Sequence, residues 1–261
     1  MTMQTTTIHP LLKLPRLTQQ QVERYHQEGY VLTGRIIDDA TLEMLRREEA
    51  RFRGTLGPGE LTVFRNQLCH HSAVIREVAT RGAHLDWVEQ LVGPNVCLWF
   101  NQYVTKMPDA HSGKSEFPWH QDNGYSVIDP ATNVTIWIAL DDVDEQNGCV
   151  WVVPGSHQRG LLPHRAKNAD SWHLSVTVEG DGVPARMKAG EAVVFSGLTL
   201  HRSKLNHTDR PRRAFFLEYT DAISTYSKND GTRHPVAVGG HSWVVRGAIA
   251  WPSPLALPIC R

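Results

Sequence analysis

The chain has 261 residues and a mass of 29.4 kDa, with 41% apolar and 21% charged residues. Its 27 Lys and Arg residues balance 27 Asp and Glu residues, so no overall field attracts nucleic acid or an anionic membrane, although a local basic patch remains possible. The longest apolar stretches, such as 96–100, are far too short to cross a bilayer. We therefore expect neither a nucleic-acid nor a membrane partner.

The cysteines and the N-terminal residues favour a cytoplasmic protein. The first fifteen residues lack a basic start followed by an apolar run, so we predict no signal peptide. In a chain of this length, cysteines without a Cys-x-x-Cys pair are typical of reduced, structural thiols. The four cysteines follow that pattern: Cys69, Cys97, Cys149 and Cys260.

The first third of the sequence predicts helices. Thr18 can cap a helix that runs to Gly29, and Asp39 can cap a second helix with apolar residues at helical spacing. Residues 54–60 form a turn-rich break. Two shorter helices are predicted after the break, at 72–80 and 84–92.

From residue 96 onward the pattern changes to short, β-branched segments separated by turn signals such as Pro154-Gly155. Helices followed by many strands predict a mostly β protein, a sandwich or barrel with flanking helices packed outside it. No convincing linker interrupts the chain, so we predict a single domain. The predicted strands are 96–104, 133–140, 149–153, 174–178, 191–195 and 213–219.

One short motif predicts a metal site. On a strand, residues i and i+2 point to the same side, so His120 and Asp122 can offer an imidazole and a carboxylate to one point in space. These are two-thirds of a facial triad of two histidines and one carboxylate, in which open positions are left on the metal for substrates. His201 is the candidate third ligand, since it follows a strand-like run and precedes Arg212 and Arg213.

The His-x-Asp pair is weak evidence when it stands alone, because most such pairs are ordinary surface or buried polar neighbours. The joint order of several motifs on a strand-rich background carries more weight. Those motifs are Trp119-His120-Gln121-Asp122, Asp141-Asp142-Val143 with Asn147-Gly148-Cys149, Val153-Pro154-Gly155-Ser156-His157, and the segment from His201 to Arg213.

With these motifs the chain resembles the phytanoyl-CoA dioxygenase family of iron(II)- and 2-oxoglutarate-dependent oxygenases. The resemblance runs from the helix containing Tyr25 to Arg213. It implies a double-stranded β-helix (jelly-roll) core, iron held by His120, Asp122 and His201, 2-oxoglutarate chelating the metal as co-substrate, and O2 as the oxidant.

The resemblance also implies which residues bind 2-oxoglutarate. Arg212, eleven residues after His201, matches the arginine that pairs with the far carboxylate, a role that suits a planar fork of N–H donors. Strand alternation sends Arg213 to the opposite face. Four further positions match residues of the family that line the co-substrate pocket. The alternative for Trp137 is a core site, and the alternative for Gln102 and Ser203 is an ordinary hydrogen bond. The four positions are Ser203, Gln102, Trp137 and Lys106.

Substrate contacts are predicted on loops, which carry function on such scaffolds but also vary without functional reason. The candidates are Asn123, Tyr125 and Arg65. The C-terminal stretch 234–252 is predicted to cover the mouth of the barrel. We thus divide the single dioxygenase domain, 1–261, into a helical part of about 1–94, a jelly-roll core of about 95–221 and a cover of about 222–261.

Asp122 bears on the reaction type, because related halogenases have a small residue in its place. The resemblance therefore implies a dioxygenase that hydroxylates or otherwise oxidises an unactivated C–H bond of a small-molecule metabolite and releases succinate and CO2. Two alternatives stay open: a zinc-dependent hydrolase with the same triad, and a non-catalytic small-molecule-binding jelly-roll. Arg212 argues against both, since neither needs a buried cation eleven residues beyond the distal histidine.

Overall fold

The computed structural model describes residues 14–53, 62–109, 112, 115–167, 173–227, 231–238 and 242–247. The predicted turn-rich break at 54–60 and part of the predicted C-terminal cover lie outside these ranges. The helices in the described chain are α1 (Gln19–Glu28), α2 (Asp39–Arg53), α3 (Ala73–Arg81) and α4 (Leu85–Val92).

The strands are short, except for two long ones near the centre of the larger sheet. They are β1 (Tyr30–Arg35), β2 (Thr62–Asn66), β3 (Val96–Lys106), β4 (Phe117–His120), β5 (Ile128–Asp129), β6 (Val134–Ala139), β7 (Val150–Val152), β8 (Arg165–Ala166), β9 (Leu174–Ser175), β10 (Val183–Pro184), β11 (Glu191–Ser196), β12 (His201–Ser203), β13 (Arg212–Asp221), β14 (Thr225–Ser227), β15 (Arg233–Pro235) and β16 (Trp243–Val244).

Local sequence explains the first helix. Thr18 accepts a hydrogen bond from the Gln21 backbone N–H at 3.2 Å, and the Gln21 side chain accepts one from the Thr18 backbone at 2.9 Å. This reciprocal pair is a capping box. Gly29 ends the helix with φ +79°, a left-handed conformation that glycine adopts without a steric penalty. The predicted boundaries of this helix are therefore confirmed.

Two antiparallel sheets face each other and form the jelly-roll predicted from the sequence. The major sheet has the order β1-β11-β6-β13-β3-β16, with β2 also paired to β3. The minor sheet has the order β10-β7-β12-β4. An apolar cluster joins the two inner faces and includes Trp137 and Phe216 from the major sheet and Val150 and Val152 from the minor sheet.

Strand alternation on β6 separates two environments. Ile136 and Ile138 point outward into a large core shared with the helices, where they join Leu45 and Ile75. Thr135, Trp137 and Ala139 occupy the alternate positions, which face the minor sheet. The major sheet is thus covered by helices on its outer face and by the minor sheet on its inner face.

The first third of the chain is less purely helical than predicted. β1 pairs with β11, with Tyr30 opposite Phe195, and β2 pairs with β3, so both strands extend the major sheet. The second helix begins at Asp39, and the side chain of Asp38 accepts the Thr41 N–H at 2.7 Å, so the capping side chain lies one residue earlier than predicted. The predicted strand at 174–178 is only two residues long.

The C-terminal segment packs at one end of the major sheet. Val236, Ala237 and Val244 form an apolar cluster with Trp99 and Ile128. β14 pairs with β5, which directly follows the loop carrying Asp122. Within the described residues, no helix combines the length and the apolar character that crossing a membrane requires.

Candidate metal centre and active site

Two histidines lie side by side on neighbouring strands of the minor sheet. His120 ends β4 and His201 begins β12; the two residues are paired in register, and their ring centroids are 4.1 Å apart. Asp122 follows in a short 3-10 turn, Asp122–Gly124. One ligand atom from each of these three residues lies within 4.8 Å of the others.

The sequence argument for Asp122 assumed a continuous strand, and the structure brings it to the same place by another route. β4 stops at His120, and the 3-10 turn that begins at Asp122 returns its carboxylate toward the histidines. Its Oδ1 lies 3.7 Å from His120 Nε2 and 3.4 Å from His201 Nε2.

Backbone carbonyls fix both imidazole rings. His120 Nδ1 donates to Pro118 O at 2.8 Å, and His201 Nδ1 donates to Thr199 O at 2.9 Å. Because a carbonyl can only accept, Nδ1 carries a proton in each ring, and Nε2 is the ring atom left to bind a metal. The Thr135 hydroxyl donates to Asp122 Oδ2 at 2.7 Å and leaves Oδ1 facing the histidines.

Burial sets the charge states of these groups. It lowers the pKa of His120 well below its usual range, and the nearby His201 lowers it further. Burial alone would raise the pKa of Asp122, but the two histidines and the Thr135 hydrogen bond outweigh it, so that pKa is lowered. The site therefore presents a neutral His120 imidazole and an ionised Asp122 carboxylate, which are protonation states that metal binding requires.

The triad fits a divalent metal by its geometry. Metal–ligand bonds of about 2.0–2.2 Å place neighbouring ligand atoms about 3–3.5 Å apart, close to the separations between Asp122 Oδ1 and the two Nε2 atoms. Two imidazoles and one carboxylate, with the remaining positions open, form the donor set of non-haem iron(II) oxygenases.

Arg212 supplies a buried cation whose donors are only partly used. Its side chain is 1% exposed, and Nη1 donates to Val104 O at 3.1 Å. Nε and Nη2 are buried and have no hydrogen-bond partner among the described residues. The guanidinium carbon lies 5.1 Å from the centroid of the Trp137 ring. Burial lowers the pKa of Arg212 to about 10, so the group is still charged at neutral pH.

Unsatisfied N–H groups in a buried guanidinium are costly, and a planar carboxylate is the acceptor that matches two of them at once. The free donors of Arg212 therefore fit the far carboxylate of 2-oxoglutarate. In its neighbour Arg213 the same two nitrogens are occupied. Nε and Nη2 donate to the two oxygens of Asp141 at 2.9 and 2.5 Å, on the opposite face of β13.

The other residues predicted to contact 2-oxoglutarate differ in what their side chains do. Trp137 stacks near Arg212 on the inner face, and Gln102 lies on that face opposite Phe216. Ser203 is buried two residues beyond His201 on β12.

Lys106 is a correction to the predicted co-substrate set. Its ammonium donates to Ser115 O at 2.6 Å, Ser203 O at 2.9 Å and Lys204 O at 2.6 Å. An ammonium has three protons, so these carbonyls leave no donor for a ligand. Lys106 instead ties β3 to the segment after β12.

The triad and Arg212 lie in the part of the chain that matches a protein-family model. The model described as phytanoyl-CoA dioxygenase (PhyH) matches residues 14–214, which include the triad and Arg212. The chain belongs to the phytanoyl-CoA dioxygenase family. It is accordingly an oxidoreductase, an iron- and 2-oxoglutarate-dependent dioxygenase with O2 as oxidant.

Individual relatives are distant. A phytanoyl-CoA dioxygenase, peroxisomal, of Bos taurus is 26% identical over 246 residues, covering 83% of this chain and 72% of the relative. A methylphosphonate hydroxylase of Gimesia maris is 28% identical over 218 residues, covering 78% of this chain and 80% of the relative. The two names describe different substrates, so relationship alone does not identify the substrate of this dioxygenase.

Solved structures share the fold. The epimerase SnoN, crystallised with Fe3+, alpha ketoglutarate and nogalamycin RO, superposes with a TM-score of 0.68 at 23% identity, covering 92% of this chain and 94% of that one. The carbocyclase SnoK from nogalamycin biosynthesis gives a TM-score of 0.67 at 23% identity, covering 80% of this chain and 86% of that one. These likenesses support the jelly-roll assignment of the dioxygenase.

The predicted substrate residues of the dioxygenase are not equally placed. The Asn123 side chain is occupied by Ile128, donating to its carbonyl at 3.3 Å and accepting its N–H at 2.8 Å. Tyr125 lies with its ring edge-on to His120 at 5.6 Å, and its hydroxyl accepts the Leu174 N–H at 2.9 Å. Arg65 is on β2 opposite Tyr103, and its side chain lies outside the described residues.

Sequence analysis missed a second carboxyl group in the pocket of the dioxygenase. Glu218 lies on β13 opposite Thr135, the residue that bonds Asp122, and is 7% exposed. Burial and the proximity of Asp122 raise the pKa of Glu218 to about 8. Glu218 lies six residues after Arg212 on one strand, and because side chains alternate, this even number places both on the same face.

Gln121 was also missed, and it holds the metal loop. Its side chain donates to Gly160 O at 2.9 Å and Leu198 O at 2.7 Å and accepts the Leu162 N–H at 2.8 Å. It thereby ties the loop between the ligands His120 and Asp122 to two other loops of the dioxygenase.

Proposed function

We propose that this dioxygenase hydroxylates, or otherwise oxidises, an unactivated C–H bond of a small-molecule metabolite and releases succinate and CO2. The observation that carries the proposal is the buried Arg212, whose Nε and Nη2 have no partner among the described residues. A cation left open beside a His-Asp-His triad suits a dicarboxylate that reaches from the metal to the arginine.

The roles of the residues follow from their contacts. His120, Asp122 and His201 would hold the iron, with both Nδ1 atoms and Asp122 Oδ2 fixed by partners that leave the remaining donor atoms free. Arg212 would pair with the far carboxylate of 2-oxoglutarate. Trp137 would keep that ion pair dry from one side, since its ring lies against the guanidinium.

When bound, iron and 2-oxoglutarate together activate O2 and supply the oxidant for C–H cleavage. The protein contributes position and water exclusion rather than acid–base catalysis. Thr135 orients Asp122 through its hydroxyl, and the apolar inner faces of the two sheets, with Phe216 among them, limit solvent access.

The alternatives account less well for the same residues. A zinc hydrolase would use the triad and leave Arg212 without a function, and a binding module would need neither the triad nor the arginine. The relatives support oxidation of a small molecule, since one is named a phytanoyl-CoA dioxygenase and the other a methylphosphonate hydroxylase.

Two further parts of the proposal concern the whole chain. We treat 1–261 as one dioxygenase domain in which the segment after residue 221 covers one end of the jelly-roll, supported by its packing on Trp99 and Ile128. A cytoplasmic location is supported by Cys97 and Cys149, whose buried side chains remain thiols.

The test is succinate release from 2-oxoglutarate with a panel of small molecules, measured with iron(II) and again with zinc(II). We expect release that requires iron and O2 and rises with a true substrate, whose product gains oxygen or loses hydrogen. Turnover of a panel compound with zinc, without consumption of 2-oxoglutarate, would instead identify a hydrolase.

A further inference from the structure

Glu218 is a carboxylate in the pocket that the metal and the co-substrate do not use. It lies on the inner face of β13, directly opposite Thr135, whose hydroxyl bonds Asp122. It stands outside the cluster of three residues whose ligand atoms lie within 4.8 Å of one another.

The hydrogen bonds of Glu218 leave half of its carboxylate open. Oε1 accepts a hydrogen bond from Asn133 Nδ2 at 2.7 Å. Among the described residues, Oε2 accepts no hydrogen bond and no Lys, Arg or His lies within ion-pair distance. The side chain is nevertheless 93% buried, being only 7% exposed. Burial and the proximity of Asp122 raise the pKa of this carboxyl group to about 8, so a cation beside Oε2 would supply the partner that its ionised form lacks.

Glu218 is separated from the co-substrate position. It lies six residues from Arg212 on one face of β13, which corresponds to about 20 Å of strand at about 3.3 Å per residue. Phe216 and Trp137, paired across β13 and β6, lie between them. The Arg212 end suits the carboxylate of 2-oxoglutarate, and the Glu218 end is left for the substrate.

The neighbours of Glu218 combine an aromatic ring, that of Phe100, with the polar side chains of Asn133 and Thr135. Phe100 is opposite Glu218 on β3, and its ring packs edge-on against Phe216 with centroids 6.2 Å apart. Asp122 is the nearest charged group acting on Glu218. An anionic substrate group placed here would be repelled by Asp122, whereas a cation would be attracted by Asp122 and would stabilise the ionised form of Glu218.

We propose that Glu218 binds a protonated amine of the substrate, so that the dioxygenase acts on small aliphatic amines whose carbon chain packs against Phe100 and Phe216. The inference rests on the proposed function, because it places the oxidised carbon between Glu218 and the triad. The ammonium donates to Oε2, Asn133 holds Oε1, and the neighbouring C–H bonds lie toward the triad.

The experiment measures binding of matched probes to the zinc-loaded protein with 2-oxoglutarate, a complex that does not turn over. Alkylammonium ions from ethyl to hexyl are compared with carboxylates of equal chain length by ligand-observed NMR titration. We expect the ammonium ions to bind at least about tenfold more tightly, since a charge-assisted hydrogen bond in a buried site contributes about ten- to a hundredfold in affinity.

Glu218→Gln should reduce this ammonium preference by about ten- to a hundredfold, because it keeps the shape and removes the charge. The matched control is Glu49→Gln, which changes another buried glutamate that bonds Thr105 and Arg53 outside the pocket. That variant should keep the preference of the wild type. Succinate release by iron-loaded wild type should also rise with the alkylammonium that binds best.

Three outcomes would overturn the inference: no alkylammonium binds, carboxylates bind as tightly, or Glu218→Gln leaves the preference unchanged. If Glu218→Gln does not fold, the wild-type comparison of ammonium with carboxylate still decides. A second measurement separates the two proposals: the slow consumption of 2-oxoglutarate that iron-loaded wild type should show without added amine. Its absence counts against the proposed function, whereas its presence without ammonium preference counts against Glu218 alone.

Discussion

Two adjacent arginines on opposite faces of the major sheet differ in how their hydrogen-bond donors are used. On the outer face, Arg213 is saturated by Asp141, and the Tyr219 hydroxyl donates to Ala79 O while accepting from His84 Nε2. On the inner face, Arg212 keeps two unpaired nitrogens. Both faces are buried, so burial does not distinguish them. The difference indicates that Arg213 stabilises the fold, whereas Arg212 keeps donors available for a ligand.

Substitutions in the triad should cause the largest loss of iron-dependent activity. His120→Ala, Asp122→Ala and His201→Ala should each reduce iron-dependent succinate release to background, because a facial triad has no spare ligand. Metal content by elemental analysis and folding by circular dichroism are measured on the same samples. The exposed His26→Ala is the control and should retain activity. Near-normal turnover by any triad variant would remove that residue from the ligand set.

Adjacent arginines give the sharpest comparison of the two faces. Arg212→Ala should raise the 2-oxoglutarate concentration needed for half-maximal turnover about ten- to a hundredfold, since a buried charged hydrogen bond contributes roughly 1.5–3 kcal/mol. Arg212→Lys should restore only part of this, because an ammonium lacks the planar fork. Arg213→Ala should leave the requirement almost unchanged. The measurement is a 2-oxoglutarate titration, and a larger defect in Arg213→Ala would reverse the assignment of faces.

Removing an outer-face hydroxyl should affect stability without affecting chemistry. Tyr219→Phe leaves Ala79 O and His84 Nε2 without the partner they share, which should cost about 1–3 kcal/mol of unfolding free energy. Urea denaturation gives the loss, and turnover per folded molecule should match the wild type. A change in 2-oxoglutarate affinity of this variant would contradict the separation of the faces.

A further effect expected from the outer face is a pH dependence of stability. Burial, aided by Arg246, lowers the pKa of His84 to about 3 from an ordinary 6.5. Between these values the unfolded state binds more protons than the folded one, so the His84 contribution to stability is complete above pH 6.5 and is lost as pH falls toward 3. His84→Asn should flatten the fall in urea stability across this window. An unchanged slope would show that other groups control it.

Local chemistry made part of this protein predictable. The capping box at Thr18 and the alternation that separates Arg212 from Arg213 depend on neighbours in sequence, and the structure has both. The residues of the triad came from motif order, although the turn that delivers Asp122 differs from the strand assumed for it.

Long-range contacts account for what the sequence analysis missed. β1 becomes a strand because Tyr30 meets Phe195, which lies far along the chain. Lys106 matched a co-substrate position, but the carbonyls of Ser203 and Lys204 that bind it come from another strand region. Glu218 stands in a strand otherwise typical of a core, and its register opposite Thr135 is what places it beside the residue that bonds Asp122.

The pairing of His120 with His201 has a consequence for the mechanics of the minor sheet. β4 is the last strand in the order β10-β7-β12-β4, and its register with β12 is irregular between His201 and Ser203. A metal ion bound by both histidines would link β4 to β12 at this weakly paired edge of the sheet. By mass action, melting temperature should then climb with the logarithm of free metal concentration. Chelation should speed amide hydrogen exchange in β4 before it does so in β13.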